Sequence, residues 1–183
     1  MQIFKFWNQL TNGKFSKLFS QTVALGLGAS VLLFHASANA AEQVILKYGS
    51  FQGPVSVAEL NAFVQTGKTT PTLRTYLQVS KQDPAVARKA LVAGIKAEPA
   101  YLDSLLSGWT GPILLSQIGD VVHPPAADLD AQALQTSLSK SIQEDGEITL
   151  LGAIRHYPDN TVEIEGDRLI PVYERLSSLA KIL

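Results

Sequence analysis

The sequence contains no cysteine. This absence excludes disulfide bonds, thiolate catalysis, cysteine-based zinc sites and a lipidated amino-terminal cysteine. An excess of charge of one sign is also lacking, because the net charge over 183 residues is −1. The chain therefore has neither the basic footprint that nucleic acid requires nor an acidic tail, and we expect no nucleic-acid partner. What it does have is 46% hydrophobic residues, enough to build a core.

Motifs for phosphate binding and for serine-hydrolase chemistry are absent. In "GSFQGP" the two glycines stand one residue too close for a P-loop, and Pro54 stands where its lysine belongs. We interpret this stretch as a turn between a strand and a helix. No serine has the flanking glycines of the G-x-S-x-G nucleophile elbow. These absences predict no catalytic residue of the standard hydrolase type.

Metal-ligand patterns are weak. His123 and His156 lack the H-x-x-x-H and H-E-x-x-H spacings of zinc sites, and we interpret both as structural or solvated. A calcium loop beginning at Asp128 or Asp130 would need a glycine at its sixth position and a glutamate at its twelfth, so helix capping explains these residues better. The acidic residues at 144–147 and 163–167 are interpreted as solvated, the second group as the outer side of a strand. We predict no metal and no cofactor.

The first 40 residues have the features of a secretory signal peptide. Lys5, Lys14 and Lys17 precede a short apolar run, "VALGLGASVLLF", and small residues flank Asn39 in an A-x-A cleavage site. A membrane span needs ~20 apolar residues, so we expect cleavage after Ala40 and only transient contact with the membrane. An uncleaved anchor is the alternative. The prediction is an exported protein, in the periplasm or thylakoid lumen, with one domain over residues 41–183.

That domain is expected to be mainly α, a compact bundle of about seven short helices with a minor antiparallel β element. Helix starts recur down the chain, each with a capping residue or a proline at the first helical position. The most complete is the capping box of Ser56 and Glu59. Alternating residues predict strands at 44–48 and 161–165, and these two strands could pair. Predicted helices include residues 84–98, 110–122 and 148–156.

The segment "LLSGWTGPILLSQIGDVVHPP" is the most apolar part of residues 41–183. Its simplest interpretation is core, with Trp109, Ile113, Leu114 and Ile118 all buried. The alternative is a docking surface, since aromatic residues dominate the energetics of interfaces. The candidate surface residues are Trp109, Ile113, Leu114 and His123.

The pattern resembles a known family. The residues that carry the resemblance include the Tyr48–Gly49 turn, the Leu60 and Phe63 spacing, "LLSGWTGPILLSQIGDVV" and "GEITLLGAIRHYPDNTVEI". The family is a cyanobacterial domain of unknown function found ahead of α/β-hydrolase domains, and the resemblance covers residues 44 to about 170. It implies that a hydrolase domain with its catalytic residues would follow, whereas this sequence ends at Leu183, so no catalytic residue is carried over.

Two hypotheses about function remain open. The first is a non-catalytic binding or interaction module whose partner is a protein such as an α/β hydrolase, or a small apolar ligand. The second is a small hydrolase or esterase with a nonstandard active site, in which His123 or His156 acts as the base.

Overall fold

A computed structural model describes residues 40–125, 129–179 and 181 of the chain. The expected signal-peptide features before Ala40, the cap candidate Asp128 and the terminal Leu183 lie outside the described residues. The described residues form eight helices and two small sheets, which confirms a mainly helical, α+β architecture. In chain order the elements are β1 (Gln43–Tyr48), β2 (Phe51–Ser56), α1 (Val57–Thr66), α2 (Pro71–Val79), α3 (Pro84–Val92), β3 (Gly94–Lys96), α4 (Pro99–Ser107), α5 (Gly111–Gly119), β4 (Val122–His123), α6 (Ala131–Asp145), β5 (Glu147–Thr149), α7 (Leu150–Arg155), β6 (Thr161–Glu165) and α8 (Gly166–Leu179).

The larger sheet brings distant parts of the sequence together. Its strand order is β2-β1-β6-β4, and β1 pairs with β6 as predicted. The pairing is parallel, so the minor β element is a mixed sheet and not antiparallel throughout. Parallel neighbours need a crossover connection of a dozen residues or more, and the helices between β1 and β6 supply it. The two outer pairs, β1 with β2 and β4 with β6, are antiparallel, as is the second sheet of β3 and β5.

The "YGSFQG" turn belongs to a β-hairpin that the sequence analysis missed. We expected the chain to pass from β1 directly to a capped helix, because Gly53 and Pro54 resemble a break. Instead these residues lie within β2, at the edge of the sheet. An edge strand tolerates proline, whose missing N–H costs no hydrogen bond there. Gly49 makes the hairpin turn with a φ of 56°.

The predicted helix boundaries are confirmed where capping residues set them. The Ser56 hydroxyl accepts from Glu59 N at 3.1 Å, and the Glu59 carboxylate accepts from Ser56 N at 2.8 Å. This reciprocal pair is the predicted capping box. Thr70, Asp83 and Asp130 cap α2, α3 and α6 more simply, because each side chain accepts one backbone N–H from the first turn of its helix.

Three predicted helices are shorter than expected because strands interrupt them. The helix expected over 84–98 ends at Val92, and Gly94 begins β3. A side chain at Gly94 would place its Cβ 1.8 Å from the carbonyl oxygen of Ile148, so only glycine lets β3 approach β5. The helix expected from Ile148 likewise begins at Leu150, after β5.

The third shortened helix is α5. It ends at Gly119, not at Val122, and Val122 and His123 form β4. Periodicity does not separate a short buried strand from the end of a buried helix. Pairing of Val122 with Ile164 on β6 decides between them here.

The core lies between the inner face of the larger sheet and the helices. Its most buried side chains come from five of the helices and from strands β1, β4 and β6: Val44, Phe63, Leu102, Ile118, Val122, Leu134, Leu138, Ile142, Ile154, Val162 and Ile164. Over the described ranges, no helix combines the length and apolar character needed to cross a membrane.

Candidate functional site

The outer face of the larger sheet carries a cluster of charged side chains. Alternation along β6 sends its apolar residues into the core and Glu163 and Glu165 to the opposite face. The register places Lys47 of β1 beside Glu165 and His123 of β4 beside Glu163. We call Lys47, His123, Glu163 and Glu165 the sheet cluster.

The members of the sheet cluster lie within reach of one another. Lys47 Nζ is 2.7 Å from Glu163 Oε1 and 2.8 Å from Glu165 Oε1. His123 Nε2 is 3.5 Å from Glu165 Oε1 and 4.0 Å from Glu163 Oε1. Glu163 is only 7% exposed, so the prediction of a solvated strand side was wrong for this residue. Asp167, from the same acidic group, is exposed and accepts a hydrogen bond from Gly49 N.

The attraction between opposite charges shifts the pKa values of Lys47 and Glu165. The hydrogen bonds from Lys47 to Glu163 and then to Glu165 raise the pKa of the lysine well above its ordinary value. Burial alone raises the pKa of Glu165, but the hydrogen bond and charge of Lys47, helped by His123 and Arg168, outweigh it. The net pKa of Glu165 is lowered, so both partners stay charged at neutral pH.

His123 is held by the backbone on its other side. Its Nδ1 lies 3.0 Å from the carbonyl oxygen of Pro124. A carbonyl only accepts hydrogen bonds, so Nδ1 carries the proton in the bond. The ring is therefore fixed with Nε2 facing the two glutamates.

The second histidine lies in a separate ionic group. His156 ends α7 and is buried, with Nε2 2.9 Å from Asp145 Oδ2 and Nδ1 3.7 Å from Glu144 Oε2. Arg155 also contacts Asp145, at 3.4 Å. The prediction that the 144–147 acidic group is simply solvated was wrong for Asp145, which is half-buried and paired.

Neither histidine is hydrogen-bonded to a hydroxyl that could act as a nucleophile, among the residues that the structure describes. In the part of the chain that the structure describes, their hydrogen bonds go to a carbonyl and a carboxylate. The buried hydroxyls of Ser137 and Ser141, on α6, donate instead to the carbonyl oxygens of Ala153 and Glu147. These serines bind α6 to the α7 region and are not aligned with an imidazole as a nucleophile must be.

A four-residue turn between α4 and α5 exposes Trp109. Gly111 N donates to the carbonyl of Gly108, which closes the turn with Trp109 and Thr110 at its corners. Thr110 faces inward, since it is buried and its hydroxyl donates to the carbonyl of Leu105. Trp109 faces outward and is 81% exposed. The interpretation of Trp109 as a core residue was wrong.

A groove begins one helical turn beyond Trp109. It lies between α5 and α8 and has a volume of about 600 Å³. Ile113 lines it and is 42% exposed. The other lining residues mix apolar and charged side chains: Gln117, Pro171, Glu174, Arg175, Ser178 and Leu179. We call Trp109, Ile113 and this groove the Trp109 surface.

The four candidate surface residues do not form one surface. Trp109 and Ile113 are exposed as a docking surface requires, but Leu114 is 1% exposed and belongs to the core. His123 lies in the sheet cluster on β4. Lys47 was not predicted as a site residue, although the predicted pairing of a lysine-bearing strand with a strand carrying two glutamates is a signal for it.

Comparison with known proteins gives one result. Residues 40–165 match the model of a family described as alpha/beta hydrolase of unknown function (DUF1400). The chain belongs to this family. No curated protein and no solved structure gives a significant match. Of the elements in the described part of the chain, the matched region spans the six strands and the first seven helices. The family is described as a hydrolase, but this sequence lacks the G-x-S-x-G motif of the nucleophile elbow.

Proposed function

We propose that the chain is a non-catalytic interaction module that docks onto an α/β-hydrolase partner through the Trp109 surface. The observation that carries the proposal is the 81% exposure of Trp109. Covering ~150 Å² of an aromatic side chain is worth roughly 4 kcal/mol of transfer free energy. In the free protein the Trp109 side chain is in contact with water, so a partner that buries it gains this transfer free energy on binding.

The surroundings of Trp109 support an interface. Ile113 and Leu179 give the groove apolar surface, while Glu174 and Arg175 stand at its edge. Arg175 is already oriented, because its Nη1 donates to Gln117 Oε1 at 3.0 Å. An apolar centre with aromatic and arginine residues and a polar rim is typical of protein interfaces.

A small apolar ligand is less well supported than a protein partner. The enclosed apolar cavity lined by residues such as Phe63, Leu73 and Leu169 has a volume of about 40 Å³. Ligand pockets usually measure about 300–1,000 Å³. The larger space, between α5 and α8, is an open groove suited to a side chain or helix of another protein.

The choice of partner rests on the family. Its description names an α/β hydrolase, and the resemblance stated above implies that longer members carry the hydrolase domain. The binding test uses such a domain, purified separately, against the full chain. Trp109→Ala should lose most of the binding, and Val79→Ala, which removes an exposed apolar side chain from α2, should keep it. Equal binding by both variants would contradict the proposed surface.

Export is the second part of the proposal. It rests on the lysines, the apolar run and the A-x-A site of the first 40 residues. We propose cleavage after Ala40 and a location in the periplasm or thylakoid lumen, with residues 41–183 as the domain. Amino-terminal sequencing of protein recovered from its native compartment should begin at Ala41. Recovery of Met1 from a membrane fraction would favour the retained anchor.

A hydrolase with a nonstandard site is the competing function, favoured by the 2.9 Å contact between His156 and Asp145. Short-chain activated esters test it directly. We expect no turnover by the purified full chain above that of His123→Ala and His156→Ala variants. Turnover that disappears when either histidine is replaced would refute the non-catalytic proposal.

A further inference from the structure

We propose that His123 Nε2 and the carboxylates of Glu163 and Glu165 form a binding site for a divalent transition-metal ion, with zinc as the best fit. One ligand atom from each residue lies within 4.8 Å of the other two. A zinc ion stands about 2.0–2.2 Å from nitrogen and oxygen ligands in tetrahedral geometry. Its ligands are then ~3–4 Å apart, and His123 Nε2 already lies 3.5 and 4.0 Å from the two Oε1 atoms.

The orientation of His123 is the first argument for a metal. Its Nδ1–H donates to the Pro124 carbonyl at 3.0 Å. Metal-binding histidines almost always donate their other ring N–H to such an acceptor, which fixes the tautomer and aims the free lone pair at the metal. In the neutral ring, Nε2 therefore presents a lone pair to two carboxylates. Three electron-rich ligand atoms that face each other are an arrangement that a bound cation stabilises.

Lys47 is the second argument, because it already supplies a cation from the β1 side. Its Nζ contacts the same Oε1 atoms, at 2.7 and 2.8 Å, and so holds the two carboxylates together. The Lys47 side chain is 32% exposed, which lets the ammonium withdraw into solvent when a metal binds. Lys47 is thus an internal competitor of the metal.

The backbone keeps the three ligands in place. His123 and Glu163 are partners in the β4–β6 register, and Glu165 is two residues along β6 on the same face. The bond from Glu165 N to the Val121 carbonyl, at 2.9 Å, extends this pairing. Ligands on paired strands need little rearrangement to bind an ion, and an ion would join the two-residue strand β4 more firmly to the sheet.

The ligand set selects the class of metal. Calcium takes six to eight oxygen ligands and magnesium keeps near-octahedral oxygen coordination, so an imidazole is a poor ligand for both. Imidazole with carboxylates suits zinc and its first-row neighbours, with water completing the coordination.

Calorimetric titration of the tag-free full chain tests the proposal with Zn²⁺ as the probe and Ca²⁺ as the comparison ion. We expect one Zn²⁺ to bind per chain. His123→Ala and Glu165→Gln should each weaken the affinity by at least ~10-fold, the effect known for loss of a supporting residue. Lys47→Met should tighten binding. Lys96→Met is the matched control, since Lys96 pairs with Glu147 at 2.6 Å in a different sheet, and should change nothing.

Three results would overturn the proposal. The first is the absence of saturable Zn²⁺ binding to both the wild type and Lys47→Met. The second is unchanged affinity in the His123→Ala and Glu165→Gln variants, shown by circular dichroism to be folded. The third needs no variant: nitrogen NMR of the wild-type imidazoles would show the His123 Nε2 signal unmoved by one equivalent of Zn²⁺.

Discussion

The junction of β1, α2 and α8 provides the sharpest test of the fold. The Tyr76 hydroxyl on α2 donates to the Lys47 carbonyl at 2.6 Å. Gly166, the first residue of α8, lies against this bond: a Cβ there would be 1.8 Å from the Tyr76 hydroxyl oxygen and 2.8 Å from the Lys47 carbonyl oxygen. Gly166→Ala must therefore displace the tyrosine or the helix.

Two effects set the size of the destabilisation by Gly166→Ala. Overpacking a well-filled site costs ~1–3 kcal/mol, and loss of the Tyr76–Lys47 hydrogen bond adds about 1 kcal/mol. We expect Gly166→Ala to lower the free energy of unfolding by roughly 2–4 kcal/mol. Tyr76→Phe alone should cost about 1 kcal/mol, because it removes the same bond without the clash.

The double variant Gly166→Ala/Tyr76→Phe tests whether the destabilisation comes from the contact between these two residues. Without the hydroxyl, the 1.8 Å contact is gone; the new methyl group still meets the Lys47 carbonyl oxygen at 2.8 Å and Cζ of residue 76 at 3.0 Å, so the largest part of the clash is relieved. The cost of the double variant should fall at least ~1 kcal/mol short of the sum of the single costs. Urea unfolding followed by far-ultraviolet circular dichroism measures it, since exposed Trp109 is a poor fluorescence probe of the core. Additivity within about 0.5 kcal/mol would refute the reasoning.

Three further predictions use the same unfolding assay. Leu114→Ala should lower the free energy of unfolding by ~2–5 kcal/mol because Leu114 is buried. Trp109→Ala should lower it by less than about 0.5 kcal/mol because Trp109 is exposed, and a larger effect of Trp109→Ala than of Leu114→Ala would contradict their placement. Ser56→Ala should cost about 1 kcal/mol through loss of the α1 cap, whereas Ser104→Ala, on an exposed helix face, should cost less than half as much. The hydrogen bond from Ser56 N, opposed by partial burial, holds the pKa of Glu59 below its ordinary 4.5. The ionised Glu59 carboxylate therefore stabilises the fold fully above pH 4.5, and this stabilisation is lost as pH falls through the lower pKa of the folded state. Glu59→Gln should accordingly reduce the loss of unfolding free energy on the acid side of the pH profile. An unchanged profile would show that Glu59 does not cause that loss.

The helices were predictable because their signals are local. Ser56 with Glu59, and Thr70 before Pro71, satisfy backbone groups within the first turn of their own helix. Such contacts do not depend on the rest of the fold. The pairing of β1 with β6 was also predicted, since β6 alternates apolar and polar residues and Val44, Leu46 and Tyr48 recur at the same period of two along β1.

The short strands were not predictable, because their partners are distant in sequence. Gly94 is part of β3 because that segment pairs with β5, which contains Ile148, and Val122 is part of β4 because it pairs with β6. The sheet cluster depends on the same long-range pairing, which buries Glu163 against Lys47, 116 positions away. The exposure of Trp109 depends on Thr110 occupying the inward corner of its turn.

The Trp109 indole gives the most direct test of the proposed interaction. Trp7 and Trp109 are the two tryptophans of the sequence, so Trp7→Phe assigns the indole N–H signals of a nitrogen-labelled chain. An unlabelled, separately purified α/β-hydrolase domain is then added to saturation. Burial of Trp109 should shift or broaden its indole signal, with the signals of α5 and α8 following it. Binding that leaves the Trp109 indole unchanged, or no binding at all, would contradict the account.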